Sequence, residues 1–145
     1  MLRLSPTVRA TNDRGGASVT PGATVNAFIE AVTSGDWERA VALAADEIVY
    51  ENIGFDATGL EPALPTINGS AAMVEFLRAM EDADWTVHRE DELGSVVVNE
   101  RTDRFTFGGK RIELPVAGVF EVRDGRITLW RDYFDAERMR QQLAG

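Results

Sequence analysis

The sequence predicts an α+β domain in which helices pack on one side of a curved sheet, mixed or antiparallel in its pairing. Three observations carry this. Up to Met80 most apolar residues recur at helical spacing, whereas from Trp85 to Phe134 they alternate as side chains on strands do. Asp124-Gly125 divides the last two alternating runs, the preferred chemistry of a two-residue hairpin turn. Helices first and a strand meander afterwards then select the class. At 145 residues the chain suffices for one domain with a substantial core.

Residues 1–19 carry Arg3, Arg9, Arg14 and a Gly15-Gly16 pair without helical or strand period. Rich in Arg and poor in acids, the stretch has a faint likeness to an organellar transit peptide. It holds no apolar run of the length that a signal peptide or membrane span needs. A disordered extension is expected there, with a single domain over 20–145. Thr20-Pro21 opens the first helix, whose buried stripe is Val25, Phe28, Ile29 and Val32, and Ser34-Gly35 ends it. Asp36 caps a second helix with Trp37, Ala40, Val41 and Ala44 inward. Ile48 to Ile53 reads as a short strand. Gly54 to Asn68, with Gly59, Pro62 and Pro65, reads as a loop offering Leu60, Leu64 and Ile67 to a pocket mouth. Ser70 caps a third helix with Met73, Phe76, Leu77 and Met80 inward. Four strands follow, Trp85 to Leu93, Ser95 to Phe107, Arg111 to Arg123 and Arg126 to Phe134. Asp135 then caps a closing helix that turns Met139 and Leu143 inward.

The strand ending in Phe105-Thr106-Phe107 breaks its own pattern. Val97, Phe105 and Phe107 mark its buried face, and Asn99, Arg101 and Asp103 fall on that same face. Burying a charge without a partner is costly, and arginine cannot escape by losing its proton. In the last strand Asp132 shares the face of Trp130 and Phe134, and earlier Tyr50 and Asn52 share a face. A structural ion pair is the simpler explanation of any one of these. Three such anomalies in one small domain favour a polar site inside an apolar pocket.

With Asp124-Gly125 as a two-residue turn, Val122 faces Ile127, Val119 faces Trp130 and Ala117 faces Asp132. With Gly108-Gly109 as another, Phe107 faces Lys110 and Arg101 faces Val116. Val116 and Ala117 point to opposite sides. Convergence of Arg101, Asp103 and Asp132 therefore requires one extra residue, expected at the Gly108 turn or near Pro115. Leu129, Tyr133, Phe120 and Val122 are left for the outer face, an apolar area that suits a homodimer.

Composition narrows the chemistry. A net charge of −9 argues against nucleic acid or an anionic membrane as partner. The chain has no cysteine, which excludes thiolate catalysis and sulfur-ligated zinc. It has one histidine, His88, expected to face solvent with Thr86, Glu90 and Glu92, so multi-histidine metal sites are excluded too. Carboxylates, Arg, Tyr and Asn remain.

Tyr50-Glu51-Asn52, Glu100-Arg101-Thr102-Asp103 and Trp130-Arg131-Asp132-Tyr133-Phe134-Asp135 resemble, in order and spacing, the three signatures of the limonene-1,2-epoxide hydrolase family. Tyr50 to Phe55 and Gly118 to Val122 bring the likeness closest to mycobacterial-type members. It runs from about Val25 to Phe134 and leaves out Asp56 to Ile67. The resemblance implies a cone-shaped α+β fold shared with ketosteroid isomerases and nuclear transport factors, usually a homodimer. It implies a cytoplasmic enzyme, free of cofactor and metal, that adds water to an epoxide in one step to give a vicinal diol. It also implies Asp132 as base and Asp103 as acid; without it the two carboxylates are interchangeable.

The residues suit that reaction. Asp132 can take one proton of the attacking water, the Asn52 carbonyl can accept the other, and the Tyr50 hydroxyl can donate to one lone pair. Protonated Asp103 can supply the epoxide oxygen, and Arg101 can hold both carboxylates. Two carboxylates beside one cation have their titrations split, which separates acid from base. Trp130, Phe105, Phe107 and Leu64 are the expected pocket lining, which suits a lipophilic epoxide. Two other classes fit the same fold. A cofactor-free isomerase or dehydratase of ketosteroid isomerase type would leave Tyr50 and Asn52 without a task, and a binding module would tolerate loss of Asp103 or Asp132.

Overall fold

In a computed structural model of the chain, the structure describes residues 19–145. The expected extension over 1–19 lies, apart from Val19, outside them. Helix α1 (Pro21–Ser34) starts where Thr20 Oγ1 accepts the Ala23 N–H at 3.1 Å, and ends at Gly35, whose φ of +76° is costly for residues with a side chain. Val25, Phe28, Ile29 and Val32 are buried on it. Helix α2 (Trp37–Ala42) is capped by the Asp36 side chain, but it is shorter than its apolar spacing suggests. Ala44 opens strand β1 (Ala44–Asp56) and pairs with Ile127 instead, and Val41 is at the surface. Sheet pairing outweighs helical periodicity here.

The expected loop from Gly54 to Asn68 contains the end of β1 and two short strands, β2 (Gly59–Pro62) and β3 (Ile67–Asn68), both antiparallel to β1. Pro62 is tolerated because β2 is an edge strand, where a missing N–H need not break the ladder. Helix α3 (Ser70–Arg78) begins at Ser70, with Gly69 rather than Ser70 at the cap position. Strands β4 (Glu81–Leu93), β5 (Val96–Phe107), β6 (Lys110–Arg123) and β7 (Arg126–Asp135) form the meander, and α4 (Ala136–Ala144) closes it under an Asp135 cap. The order in the sheet is β2-β1-β7-β6-β5-β4, with β1 parallel to β7 and the other pairs antiparallel. No helix among the described residues is long and apolar enough to cross a membrane.

Two irregularities decide which side chains face inward. The β5–β6 pairing is regular, with Phe107 opposite Lys110 and Arg101 opposite Val116. In the β6–β7 hairpin Val122 faces Ile127, but Glu121 faces Leu129, so Thr128 is an extra residue. Beyond it Phe120 faces Trp130, Gly118 faces Asp132 and Val116 faces Phe134. The expected pairs Val119–Trp130 and Ala117–Asp132 are thus displaced by one. The extra residue lies in β7, not at the Gly108 turn or Pro115. Phe120 and Val122 are core residues, not part of the outer face. In β4 the pairing shifts between Val87 and Arg89, leaving His88 over. His88 is exposed as expected, but Glu90 and Glu92 are partly buried opposite the inward residues Asn99 and Val97, away from its side.

The core is split. One apolar cluster joins Val25, Phe28, Met73 and Leu77 of the helices to Ile48, Val97, Phe120 and Trp130 of the sheet. The other joins Phe105, Ile112, Leu114, Val116 and Phe134 under Met139 and Leu143 of α4. Along β5 the residues between them are Asn99, Arg101 and Asp103; along β7 the residue is Asp132. A charged belt separates two apolar bodies.

Candidate active site

Arg101 is 1% exposed, and every hydrogen bond of its guanidinium goes to a buried neighbour. Nε donates to Asp103 Oδ1 at 2.9 Å and Nη2 to Asp103 Oδ2 at 2.8 Å, a two-pronged pair. The same Nη2 reaches Asp132 Oδ2 at 2.8 Å, and Nη1 donates to Asn99 Oδ1 at 3.1 Å. The face of Trp85 lies 5.1 Å from the guanidinium carbon. Burial works to lower the Arg101 pKa, but Asp132 and Asp103 outweigh it and hold the side chain charged.

Asp132 stands under opposing influences. Burial raises its pKa, Arg101 lowers it, and the neighbouring Asp103 raises it again, with a net upward shift. Its second oxygen, Oδ1, accepts the Trp130 indole N–H at 2.7 Å. That bond was not foreseen from the sequence, although a Trp two residues before a buried Asp on one strand face was its visible sign.

The parallel β1–β7 ladder brings in the remaining pair. Tyr50 lies beside Trp130 and Asn52 beside Asp132 on successive inward rungs. The Tyr50 and Trp130 rings stack at 3.9 Å and 11°. Burial, then the Asp132 charge, pushes the Tyr50 hydroxyl well above its usual pKa, so it stays a neutral donor. Asn52 is 6% exposed, and its Nδ2 meets no protein partner. On the outer face of the same ladder Arg131 Nε donates to Glu51 Oε1 at 2.6 Å.

A cavity of about 440 Å³ opens onto this belt. Tyr50, Asn52, Asp103 and Asp132 line its polar end, and Phe105 and Leu64 line it as expected. Trp130 is fully buried behind Tyr50 and touches the site through its N–H rather than the cavity wall. Phe107 also lies outside the lining: it ends β5 at the turn and is 40% exposed. Leu60 is on the surface and Ile67 packs against the main core, so neither joins Leu64 at the mouth. Apolar lining comes in addition from Met80, Trp85, Leu114, Phe134, Met139 and Leu143.

A curved seven-stranded mixed sheet with helices on one side defines the α+β cone of the NTF2-like and ketosteroid isomerase-like proteins. A family model described as the limonene-1,2-epoxide hydrolase catalytic domain matches residues 19–144. The epoxide hydrolase EphG of Mycobacterium tuberculosis is 40% identical over 118 residues, 79% of this chain and 73% of that protein. A solved LEH-like epoxide hydrolase from M. tuberculosis superposes with a TM-score of 0.69 at 38% identity, covering 84% of this chain and 88% of its own. An NTF2-like protein of unknown function from Cytophaga hutchinsonii ATCC 33406 shares the fold at 20% identity, with a TM-score of 0.64 over 83% of this chain and 95% of its own. The chain belongs to the limonene-1,2-epoxide hydrolase family and is an epoxide hydrolase of that type.

Proposed function

We propose that the enzyme adds water to a lipophilic epoxide in one step, with Asp132, Arg101 and Asp103 as its acid–base system and with Tyr50 and Asn52 holding the water. The observation that carries this is one guanidinium nitrogen shared by two buried carboxylates that both line the cavity. Two carboxylates around a single cation hold a proton readily between them, so one can act as acid while the other acts as base. Asp132 is given the part of base by the family likeness and by its place beside the water holders Tyr50 and Asn52 on the β1–β7 ladder. Asp103 then carries the proton for the epoxide oxygen.

The water sits between Asp132, Asn52 and Tyr50. Asp132 takes one of its protons and the Asn52 amide accepts the other in a hydrogen bond, while the Tyr50 hydroxyl donates into one lone pair. The remaining lone pair attacks the epoxide carbon. The carbon–oxygen bond breaks and the departing oxygen takes the Asp103 proton. Water has now lost its proton to Asp132 and the diol is complete; proton return from Asp132 to Asp103 resets the pair. An isomerase of ketosteroid type needs no water holder and leaves the Asn52 amide unused. The cavity's largely apolar walls favour a hydrophobic substrate. A cytoplasmic homodimer completes the proposal.

The test is a panel of lipophilic epoxides, limonene-1,2-epoxide included, offered to the wild type and to Asp103→Asn and Asp132→Asn, with diols measured by mass spectrometry. Diol from the wild type and from neither variant is expected. Undiminished diol formation by both variants would overturn the acid–base assignment.

A further inference from the structure

Behind the ionic pair, away from the cavity, the polar belt continues. Arg101 Nη1 donates to Asn99 Oδ1, and Asn99 Nδ2 donates to Glu90 Oε1 at 3.3 Å. Asn99 is 1% exposed, so this amide has one orientation that satisfies both neighbours. Glu90 stands opposite Asn99 in the β4–β5 ladder, and Glu92, the next inward residue, accepts the Gly22 N–H at 2.8 Å. The chain Arg101–Asn99–Glu90 thus ties the guanidinium to the edge strand and, through the Asn26 hydrogen bond to Glu90, to α1.

Gly118 is the central rung of the same belt, opposite Asn99 on one side and Asp132 on the other. Its φ is not in the left-handed region, so backbone conformation does not call for glycine. Space does. A Cβ there would lie 2.4 Å from Arg101 Nη1, 2.9 Å from Asn99 Oδ1 and 3.0 Å from Asp132 Oδ1. Any side chain would push the guanidinium off its partners.

Building on the hydrolase reading above, we propose that Asn99 and Gly118 are positioning residues for hydrolysis. Asn99 fixes the rotation of the Arg101 guanidinium through a neutral acceptor, and Gly118 leaves the room in which Arg101 and Asp132 meet. Neutrality is the point of the amide. A carboxylate at 99 would give Arg101 a third anion and weaken its hold on Asp103 and Asp132. The charged groups around position 99 are Glu90 and Glu92 from β4, Arg101 and Asp103 from β5 and Asp132 from β7; α1 contributes the uncharged Asn26.

Asn99→Asp keeps the shape, adds a charge and turns the donor that faces Glu90 into an acceptor. Carbon-13 NMR titration of the aspartate carboxyls reads the result directly, whatever the natural substrate. The Asp132 titration is expected to rise by about one pH unit, as a like charge nearby dictates. An Asp132 titration that is unmoved while the carboxyl introduced at 99 is ionised, or a wild-type kcat in Asn99→Ala, would overturn the role of Asn99. With limonene-1,2-epoxide as probe, Gly118→Ala and Asn99→Ala are expected to lose about 10²-fold in kcat with KM nearly unchanged, the usual cost of misplacing a catalytic group by about 1 Å. If Gly118→Ala fails to fold, Asn99→Asp and Asn99→Ala decide. Asp103→Asn is run alongside. If it is inactive while the Asn99 and Gly118 variants keep wild-type kcat, positioning is refuted and the acid–base reading stands; if it is fully active, the acid–base reading itself has failed.

Discussion

Asp103 and Asp132 never touch one another directly but share a single donor, Nη2 of Arg101, at 2.8 Å each. Asp103 has a second bond, from Nε, and Asp132 has the Trp130 indole instead. The two carboxylates therefore share one cation and differ in their second partner.

That difference sets the outcome of Asp132→Asn. Burial raises the folded-state pKa of Asp132 above its ordinary value near 4. Such a group stabilises the fold fully below that value, and the contribution is lost as pH rises through the raised pKa. The variant should therefore gain on the wild type as pH increases from about 4 through the raised value. Arg101 keeps its paired bonds to Asp103, so no cation is orphaned. Thermal melts across that range should show the variant at least as stable at pH 7, with diol formation down by about 10²- to 10⁴-fold. Unfolding of the variant at pH 7 would mean that Asp132 is held for structure.

Trp130→Phe keeps an aromatic ring for the Tyr50 stack and removes one donor from Asp132. That hydrogen bond lowers the Asp132 pKa, so its loss raises it. The acidic limb of the pH–rate profile should move upward. A profile identical to the wild type would remove Trp130 from the acid–base system.

Direct attack by water and attack by an aspartate can be told apart in one turnover. With enzyme in excess in heavy-oxygen water, direct attack places the solvent label in the first diol. An ester route leaves the first diol unlabelled and puts the label in an aspartate later. The first outcome is expected, because Asp132 is flanked by Tyr50 and Asn52 and the only histidine is exposed on β4.

Leu129, Tyr133 and Val119 are partly covered on the outer face of the sheet, and Ala117 is exposed there. A dimer would bury that strip. Sedimentation at micromolar concentration should give twice the chain mass, and a monomer throughout that range would contradict it.

The element order and the inward face of β5 were legible because alternation there is unbroken from Val97 to Phe105. So was Asp132 as a buried acid, since Trp130 and Phe134 frame it. The face of β6 was not. A two-residue turn predicts its register, and Thr128 carries no residue type that marks a bulge. The trace it leaves is that Ile127 and Trp130, both fully buried, stand three apart rather than two. His88 hides the reversal of Glu90 and Glu92 in the same way. A regular register puts Ala117 opposite Asp132, and so the part of Gly118 in the belt is invisible without the bulge.

The ionic groups all stand in the middle of strands, whereas much of the cavity mouth comes from the segment 58–64 and from Met139, Arg140 and Leu143 of the closing helix. Chemistry and entrance are therefore built from separate parts. The exposed segment 58–64 can change with little strain on Arg101 and its partners, whereas Met139 and Leu143 of the closing helix also cover the second core cluster. A designer wanting a bulkier or a more polar epoxide accepted has that segment as material to recombine, with the sheet and the last helix kept as a fixed chassis.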